Sequence, residues 1–275
     1  LLLDLEHPAL RLLQLEDCET EELRLARLQR SWGEYCWTLT PFLPGMVLDR
    51  DPGVTTVTYI DADCWLRGPV SPLMKRFEAS GAHCMITPHA YAPKRDRTAI
   101  AGTYCVQFMP FRRTPQAARI LRWWQRRCLE HCSSKLGQGP LGDQGHLEDW
   151  PSRFGEDVFV LDRPALTLAP WNIERFWRES MAQPCLYHFQ GFRLFRCANL
   201  LVIRLTAGVP IPKTALKILF LPYLNDILAI FERLPEAALT TRRLPTPLQD
   251  LRGFMLLLPR LFFRHWAVWF RMLPA

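Results

Sequence analysis

The nine cysteines of this 275-residue chain lack the paired spacing of a disulfide framework. They are scattered, and several, such as Cys84 and Cys105, lie inside apolar runs. This excludes a small disulfide-stapled scaffold and predicts reduced, buried thiols in a cytoplasmic protein. The tightest group, Cys128, His131 and Cys132, lacks a second pair at zinc-site spacing, which disfavours a structural zinc site.

A signal-peptide pattern is also absent from the start of the sequence, which opens Leu-Leu-Leu-Asp. Charged residues are neither scarce nor dominant, at 22%, and 49% of residues are hydrophobic. This composition excludes wholesale disorder and predicts one sizeable globular domain. The net charge of +7 suits anionic partners, such as nucleotide diphosphates, nucleic acid or an anionic membrane, without choosing among them.

Strand and helix patterns alternate along the chain, which predicts an α/β layer fold. Residues 54–60 are rich in β-branched side chains and predict a buried strand. Further strands are expected at 84–87, 104–111 and 158–161. Helices are expected at 32–48, with a break near Pro41, and at 71–77, 113–132 and 143–150.

Two Asp-x-Asp motifs occur, and their contexts differ. Asp49 and Asp51 stand beside Pro-Gly, so a solvated turn explains them. Asp61 and Asp63 directly follow the predicted strand, at the sheet edge where α/β proteins bind ligands. Two carboxylates there can hold Mg²⁺ or Mn²⁺, and the cation would neutralise a diphosphate.

Two other interpretations of Asp61 and Asp63 stay open. They can be a pair of solvated carboxylates at a strand end. They can also belong to a haloacid-dehalogenase-type phosphatase, which uses one Asp as a nucleophile. That class normally has Thr or Val where this chain has Trp65, and no convincing downstream lysine and paired-acid set is found.

Six further blocks surround this motif in a fixed order, and the ordered set resembles a family of bacterial nucleotide-diphospho-sugar transferases. More distantly, it is similar to glycogenin-like transferases. The resemblance spans roughly residues 30 to 235. The blocks are 31–41 (SWGEYCWTLTP), 58–63 (TYIDAD), 86–89 (ITPH), 102–111 (GTY through Phe111), 142–151 (GDQ with Leu147 and Trp150-Pro151), 169–172 (APWN) and 188–191 (HFQG).

The resemblance implies a GT-A-like (Rossmann-like) α/β domain with a metal held by Asp61, Asp63 and His188. Without the resemblance, a histidine between Tyr187 and Phe189 is more often a packed core residue. The family match also implies roles for other positions. Donor-binding residues would be Arg30, Asp61, Ala62, Asp63, Trp171, Asn172 and Gly191.

Asp143 and Gln144 would face the donor sugar or the acceptor, where a carboxylate can bond sugar hydroxyls or act as a base. A helix N-cap explains Asp143 equally well. Trp171 can stack on a sugar or simply pack. Relatives usually have Asn at Cys105 and Gly at Gln107. They also have more residues before the Trp32 block, so we expect an early strand to be cut short at Leu1.

We therefore predict a glycosyltransferase of the hexosyltransferase-like kind, using a nucleotide-sugar, expected to be a UDP-sugar, with Mn²⁺ or Mg²⁺. The acceptor would be a glycan or a lipid-linked glycan. The transferase domain is expected over residues 1–235. The alternative from a different class is a degenerate relative that binds a nucleotide-sugar or a partner without turnover.

Residues 236–275 are predicted to form an amphipathic basic and aromatic helical tail. On a helix over 251–273, Arg260, Arg264 and Arg271 fall within about 40° of one another, opposite a broad aromatic face. This pattern is typical of a helix lying in the plane of an anionic membrane. It predicts a cytoplasmic protein peripheral to the inner membrane face and explains the basic balance without nucleic acid. A tail packed on the domain is the other interpretation.

Overall fold

The computed structural model describes residues 7–181, 185–197, 200–205, 209, 211–233, 242–243 and 266–269. Its helices are α1 Glu21–Gln29, α2 Trp32–Leu39, α3 Leu43–Arg50, α4 Ser71–Ser80, α5 Thr98–Ala101, α6 Pro115–Glu130, α7 Trp150–Phe154, α8 Ile173–Ser180, α9 Lys213–Ala215 and α10 Leu221–Arg233. Its strands are β1 Thr56–Ile60, β2 Cys64–Leu66, β3 Cys84–Pro88, β4 Tyr104–Cys105, β5 Phe108–Arg112, β6 Val158–Val160, β7 Thr167–Leu168, β8 Leu186–His188, β9 Arg193–Cys197, β10 Leu200–Arg204, β11 Arg242–Arg243 and β12 Trp266–Trp269. The predicted mixed α/β class is confirmed.

The central sheet contains five strands. β1 pairs antiparallel with β5, and β5 pairs antiparallel with the start of β3. The end of β3 pairs antiparallel with β4, and its other edge pairs parallel with β6. β1 and β3 were expected as strands from their β-branched and apolar residues, and both form.

A second, three-stranded sheet has the order β2-β8-β7, with β2 and β8 antiparallel and β7 and β8 parallel. Because β2 follows β1 after only three residues, this sheet begins beside the carboxyl end of β1. It therefore brings the segment around residue 188 to the Asp-x-Asp turn. A third sheet has the order β11-β9-β10-β12.

The long helix α6 packs one face against the central sheet. Its buried residues recur at helical spacing, which is the pattern expected of an amphipathic helix. They are Ala117, Ile120, Leu121, Trp124 and Cys128. Thr114 caps the first turn by accepting a hydrogen bond from the N–H of Ala117.

Two expected elements are divided in the structure. The predicted helix at 32–48 is broken between α2 and α3, as Pro41 indicated. The single strand predicted at 104–111 is instead two strands, β4 and β5. The division follows from a change of partner, because β4 pairs only with the end of β3 whereas β5 runs along β1.

The predicted helical tail lies largely outside the described residues. Within 251–273 the structure describes only Trp266–Trp269, which form a strand paired antiparallel with β10 and not a helix. Tryptophan and valine favour extended backbone, and pairing satisfies its hydrogen bonds. Among the residues that the structure describes, no helix has the length and apolar character needed to cross a membrane.

Trp124 links the core to the loop that carries Asp143. Its indole N–H donates to the Asp143 carbonyl oxygen at 3.0 Å, and its ring meets Trp150 edge-on at 5.4 Å. We expect Trp124→Phe to lower the free energy of unfolding by about 1–3 kcal/mol, because the buried carbonyl loses its partner. Denaturant titration measures this loss.

The control is Trp123→Phe, at the neighbouring half-buried position, where the ring contacts Phe154 and Arg153. No hydrogen bond of the Trp123 side chain to another described residue is found, so the control should cost clearly less. Equal losses in the two variants would show that the Asp143 contact contributes nothing specific.

Candidate functional site

Asp61 and Asp63 lie in a tight turn between β1 and β2. The N–H of Cys64 donates to the Asp61 carbonyl at 3.0 Å, which closes the turn. The N–H of Asp61 donates to the Gln107 carbonyl at 3.3 Å and so anchors the turn to the segment between β4 and β5. Both carboxylates therefore stand at the carboxyl end of β1, where the sequence predicts them.

His188 reaches the same turn through the pairing of β2 with β8. Cys64 stands opposite His188 in that pairing, and the N–H of Phe189 donates to the Asp63 carbonyl at 2.7 Å. The imidazole Nε2 lies 2.9 Å from Asp63 Oδ1 and 3.8 Å from Asp61 Oδ2. The three residues that the resemblance implies as metal ligands are thus brought together.

Gln107 stands behind His188 and is fully buried. His188 Nδ1 lies 3.2 Å from Gln107 Oε1, and the Gln107 amide donates to the Thr87 hydroxyl at 3.4 Å. That hydroxyl in turn donates to the Cys105 carbonyl at 3.0 Å. The Gln107 oxygen accepts from Nδ1–H and so directs Nε2 towards the two carboxylates. A proton on Nε2 makes the hydrogen bond to Asp63, and a bound cation would take the place of that proton.

The pKa values of the Asp61 and Asp63 carboxyl groups are shifted in opposite directions. Burial raises the pKa of Asp61, against the opposing effects of His188 and of the Tyr59 hydroxyl, which donates to Asp61 Oδ1 at 2.8 Å. Burial also acts on Asp63, but the hydrogen bond and charge of His188 outweigh it and lower the pKa of Asp63. Arg193 contributes to that lowering through its charge.

Cys105 lies beside this group. Three atoms able to bind a metal lie within 4.8 Å of one another: a carboxylate oxygen of Asp61, the sulfur of Cys105 and an imidazole nitrogen of His188. Burial, followed by the charge of Asp61, raises the pKa of the Cys105 thiol well above its usual range. Carboxylate oxygen, imidazole nitrogen and cysteine sulfur are all metal-ligating atoms, so the residues present fit a divalent cation.

Asp143 is a buried carboxyl with an unsatisfied oxygen. Its Oδ1 accepts the Gln144 N–H at 2.8 Å, whereas Oδ2 has no hydrogen-bond partner among the described residues. Burial raises the pKa of Asp143 to about 7; the Thr40 hydroxyl opposes that rise, and the charge of Asp61 adds to it. An incompletely satisfied buried carboxyl is costly, which is a feature of functional positions.

Trp171 packs edge-on against two imidazoles, at 5.2 Å from His188 and 5.1 Å from His89. Its indole N–H is buried and has no hydrogen-bond partner in the described part of the chain. A tryptophan N–H normally finds an acceptor when buried. Trp171 therefore has an N–H available to donate a hydrogen bond, and its ring lies against His188.

Asn172 holds the loop that carries Trp171. It is fully buried, its Oδ1 accepts the Ala169 N–H at 2.9 Å, and its amide donates to the carbonyls of His89 and Thr167. Both polar ends of the side chain therefore bond backbone and hold the loop in place, and the expected contact of Asn172 with a donor stays a prediction. The neighbouring Ala90 has φ of 47°, a left-handed conformation disfavoured for alanine.

The other expected positions have structural tasks. Arg30 ties α2 to the end of α6 by donating to the Thr38 hydroxyl and, at 2.6 Å, to the Leu129 carbonyl.

Gly191 has φ of 83° in a turn closed by the bond from the Phe192 N–H to the Phe189 carbonyl. Ala62 is exposed at the turn between the two carboxylates. The side chain of Gln144 donates to the Ala101 carbonyl at 2.8 Å.

Sequence reasoning missed three residues at this site. Tyr59 precedes Asp61 by two residues on a strand, so the period of two places them on one face and could have identified it. Gln107 and Cys105 attracted attention only as departures from the family pattern. Nothing in their local sequence indicates that one supports His188 and the other lies within ligand distance of Asp61.

Comparisons with known proteins give sequence relatives of unassigned activity. No protein-family model matches the chain. The Uncharacterized protein YfnF of Bacillus subtilis (strain 168) is 28% identical over 218 residues, covering 74% of this chain and 71% of the relative. The Uncharacterized protein YfnD of the same organism is 28% identical over 195 residues, covering 66% of this chain and 61% of the relative.

Two solved structures that resemble the chain are both glycosyltransferases. One is a glycosyltransferase involved in the glycosylation of the major capsid of PBCV-1, at 11% identity and a TM-score of 0.39, covering 62% of this chain and 72% of that one. The other is mouse xyloside xylosyltransferase 1 in its apo form, at 15% identity and a TM-score of 0.36, covering 60% and 69%. At such identities and scores, neither likeness establishes an activity for this chain.

Proposed function

We propose that this chain is a metal-dependent glycosyltransferase that takes a glycosyl unit from a nucleoside-diphosphate sugar, with a UDP-sugar as the expected donor. The acceptor class is a glycan or a lipid-linked glycan. The main support is the convergence of Asp61, Asp63 and His188, which come from distant parts of the chain and meet at the carboxyl ends of β1 and β8.

Asp61, Asp63 and His188 would hold a divalent cation. A bound cation supplies positive charge that stabilises the diphosphate as it leaves the sugar. Gln107 keeps Nε2 of His188 directed at the two carboxylates, and the Tyr59 hydroxyl fixes Asp61 through Oδ1. The chain thus prearranges its ligands before any donor is bound.

Other side chains would contact the donor and the acceptor. The free indole N–H of Trp171 can donate to a phosphate or sugar oxygen, and the exposed Arg193 places positive charge near Asp63. Asp143, with its unsatisfied Oδ2, can accept a hydrogen bond from a sugar hydroxyl or take its proton. These roles divide the chemistry between charge stabilisation at the diphosphate and hydroxyl recognition at the sugar.

The second Asp-x-Asp motif provides a matched control for the metal assignment. We expect Asp63→Asn to abolish Mn²⁺-dependent binding of UDP in calorimetry and to reduce turnover of UDP-sugars by at least about a hundredfold. Asp49→Asn should change neither, because Asp49 is exposed at the end of α3. Unchanged UDP affinity in a folded Asp63→Asn protein would contradict the assignment.

Gln107 is expected to act through His188. Gln107→Met removes the acceptor for Nδ1 at similar volume and should weaken Mn²⁺ binding by about 10–100-fold. Gln107→Glu retains an oxygen acceptor and should recover most of the affinity, whereas a purely structural role would not distinguish the two variants in this way. Electron paramagnetic resonance of free Mn²⁺ measures the affinity, and thermal unfolding checks the fold of each variant.

Ionisation of Asp143 should make stability depend on pH. The folded-state pKa of about 7 exceeds the ordinary 3.8, so the folded state binds this proton more tightly. Stability should then fall as pH rises from about 4 to about 7, because the buried carboxyl ionises, and should stay low above that range. The cost is at most about 4 kcal/mol, from about 1.4 kcal/mol per pKa unit.

Asp143→Asn cannot ionise, so it should gain stability over the wild type as pH rises through this window while losing transferase activity. Urea unfolding at several pH values in chelator measures the gain. Asp149→Asn is the control, since Asp149 is a partly exposed carboxylate paired with Arg153 at 2.5 Å. Parallel pH profiles for wild type and Asp143→Asn would exclude ionisation of Asp143 in this range.

A further inference from the structure

We propose that Cys105 is a metal ligand and that the centre formed by Asp61, Cys105 and His188 selects a thiophilic divalent cation of the zinc class over Mg²⁺. This inference deepens the proposed function. It depends on the proposed function only for the location of the cation beside Asp61 and His188. It changes the expected cofactor, because the family resemblance alone implies Mn²⁺ or Mg²⁺ held without sulfur.

The geometry supplies the first support. One ligand-type atom from each of the three residues lies within 4.8 Å of the other two, and His188 Nε2 is 3.8 Å from Asp61 Oδ2. Ligands of a tetrahedral zinc ion lie about 3.3–3.8 Å apart, given bonds of about 2.0–2.3 Å. A small contraction of the present cluster is therefore enough to ligate a cation.

The surroundings of the sulfur supply the second support. Cys105 is only 2% exposed, so its thiol is protected from solvent, and its sulfur lies within 4.8 Å of a ligand-type atom of Asp61 and of His188. Packing alone does not require a buried thiol to lie beside other metal-ligating atoms. A bound cation would offset the negative charge of the Asp61 carboxylate beside this sulfur.

The chemical types of the ligand atoms determine which class of metal binds. Mg²⁺ binds oxygen ligands almost exclusively, whereas thiolate and imidazole together favour zinc and its substitutes cobalt and cadmium. Together with Asp63, whose Oδ1 lies 2.9 Å from His188 Nε2, these residues make four protein ligands, and zinc can expand to a fifth position for another group. In a glycosyltransferase that group would be an oxygen of the donor diphosphate. Binding releases the thiol proton to solvent, and sulfur then bonds the cation as thiolate.

Hydrogen bonds fix the backbone that carries the sulfur. The Cys105 carbonyl accepts the Thr87 hydroxyl at 3.0 Å, and Thr87 belongs to the same hydrogen-bonded chain that orients His188 through Gln107. Two of the ligand residues are thus linked by one buried polar network. Another, Asp61, is tied to the Gln107 carbonyl through its own N–H.

Cobalt titration of the full chain tests the proposal, because thiolate bound to Co²⁺ gives an intense charge-transfer band in the near ultraviolet that oxygen and nitrogen ligands do not give. We expect the band to saturate at one Co²⁺ per chain, to be bleached by Zn²⁺, and to persist in excess Mg²⁺. Cys105→Ser should lose the band and bind Zn²⁺ at least tenfold more weakly.

Two matched variants identify the sulfur. Cys84→Ser changes a fully buried thiol on β3, and Cys64→Ser changes a half-buried thiol at the turn itself. Both should keep the band. A wild-type chain without the band, or a band retained in Cys105→Ser and lost in Cys64→Ser, would overturn the proposal.

Zinc-edge X-ray absorption of the wild type keeps the test independent of whether Cys105→Ser folds. One sulfur at about 2.3 Å supports the proposal, and a shell of oxygen and nitrogen alone refutes it. Mass-spectrometric assay of UDP-sugar turnover separates the two proposals. Turnover without a thiolate band refutes only the role of Cys105, whereas a band without turnover of any nucleotide-sugar refutes only the transferase function.

Discussion

Mutual repulsion of carboxylates is the constraint around which this site is built. Asp61, Asp63 and Asp143 act on one another or on the same neighbouring thiol, and two of them lie largely out of water. Such a group is costly unless positive charge or donated hydrogen bonds offset it. In the folded chain His188, Tyr59 and the Gln144 N–H provide part of that compensation. The remainder is what a cation would contribute.

The compensation depends on positioning as much as on charge. His188 can satisfy Asp63 only because β2 and β8 pair in the register that sets Cys64 opposite it. Since successive side chains of a strand point to opposite faces, a slip of one residue would turn the imidazole away from both carboxylates. Gln107 then fixes which nitrogen faces them. The buried network behind the site thus sets the orientation of the His188 ring.

The strand that ends directly before Asp61 could be predicted from sequence because its signal is local. β-branched residues over 54–60 predict the strand, and the two aspartates follow it directly. The meeting of Asp61 with His188 came from the family resemblance. The proximity of Cys105 to Asp61 could not be foreseen, because it depends on how β4 pairs with β3 while β5 pairs with β1. The buried hydrogen bonds of Asn172 depend likewise on a loop that no periodic pattern describes.

The pairing of β2 with β8 joins residues well over a hundred positions apart in the chain. Closing a loop of this length costs chain entropy, and pairings of such high sequence separation are associated with slow folding. During synthesis, both aspartates therefore emerge long before the histidine that completes their site. If Asp61, Asp63 and His188 hold a cation as proposed, the growing chain cannot present the complete ligand set until β8 has paired with β2, and metal binding would follow that step.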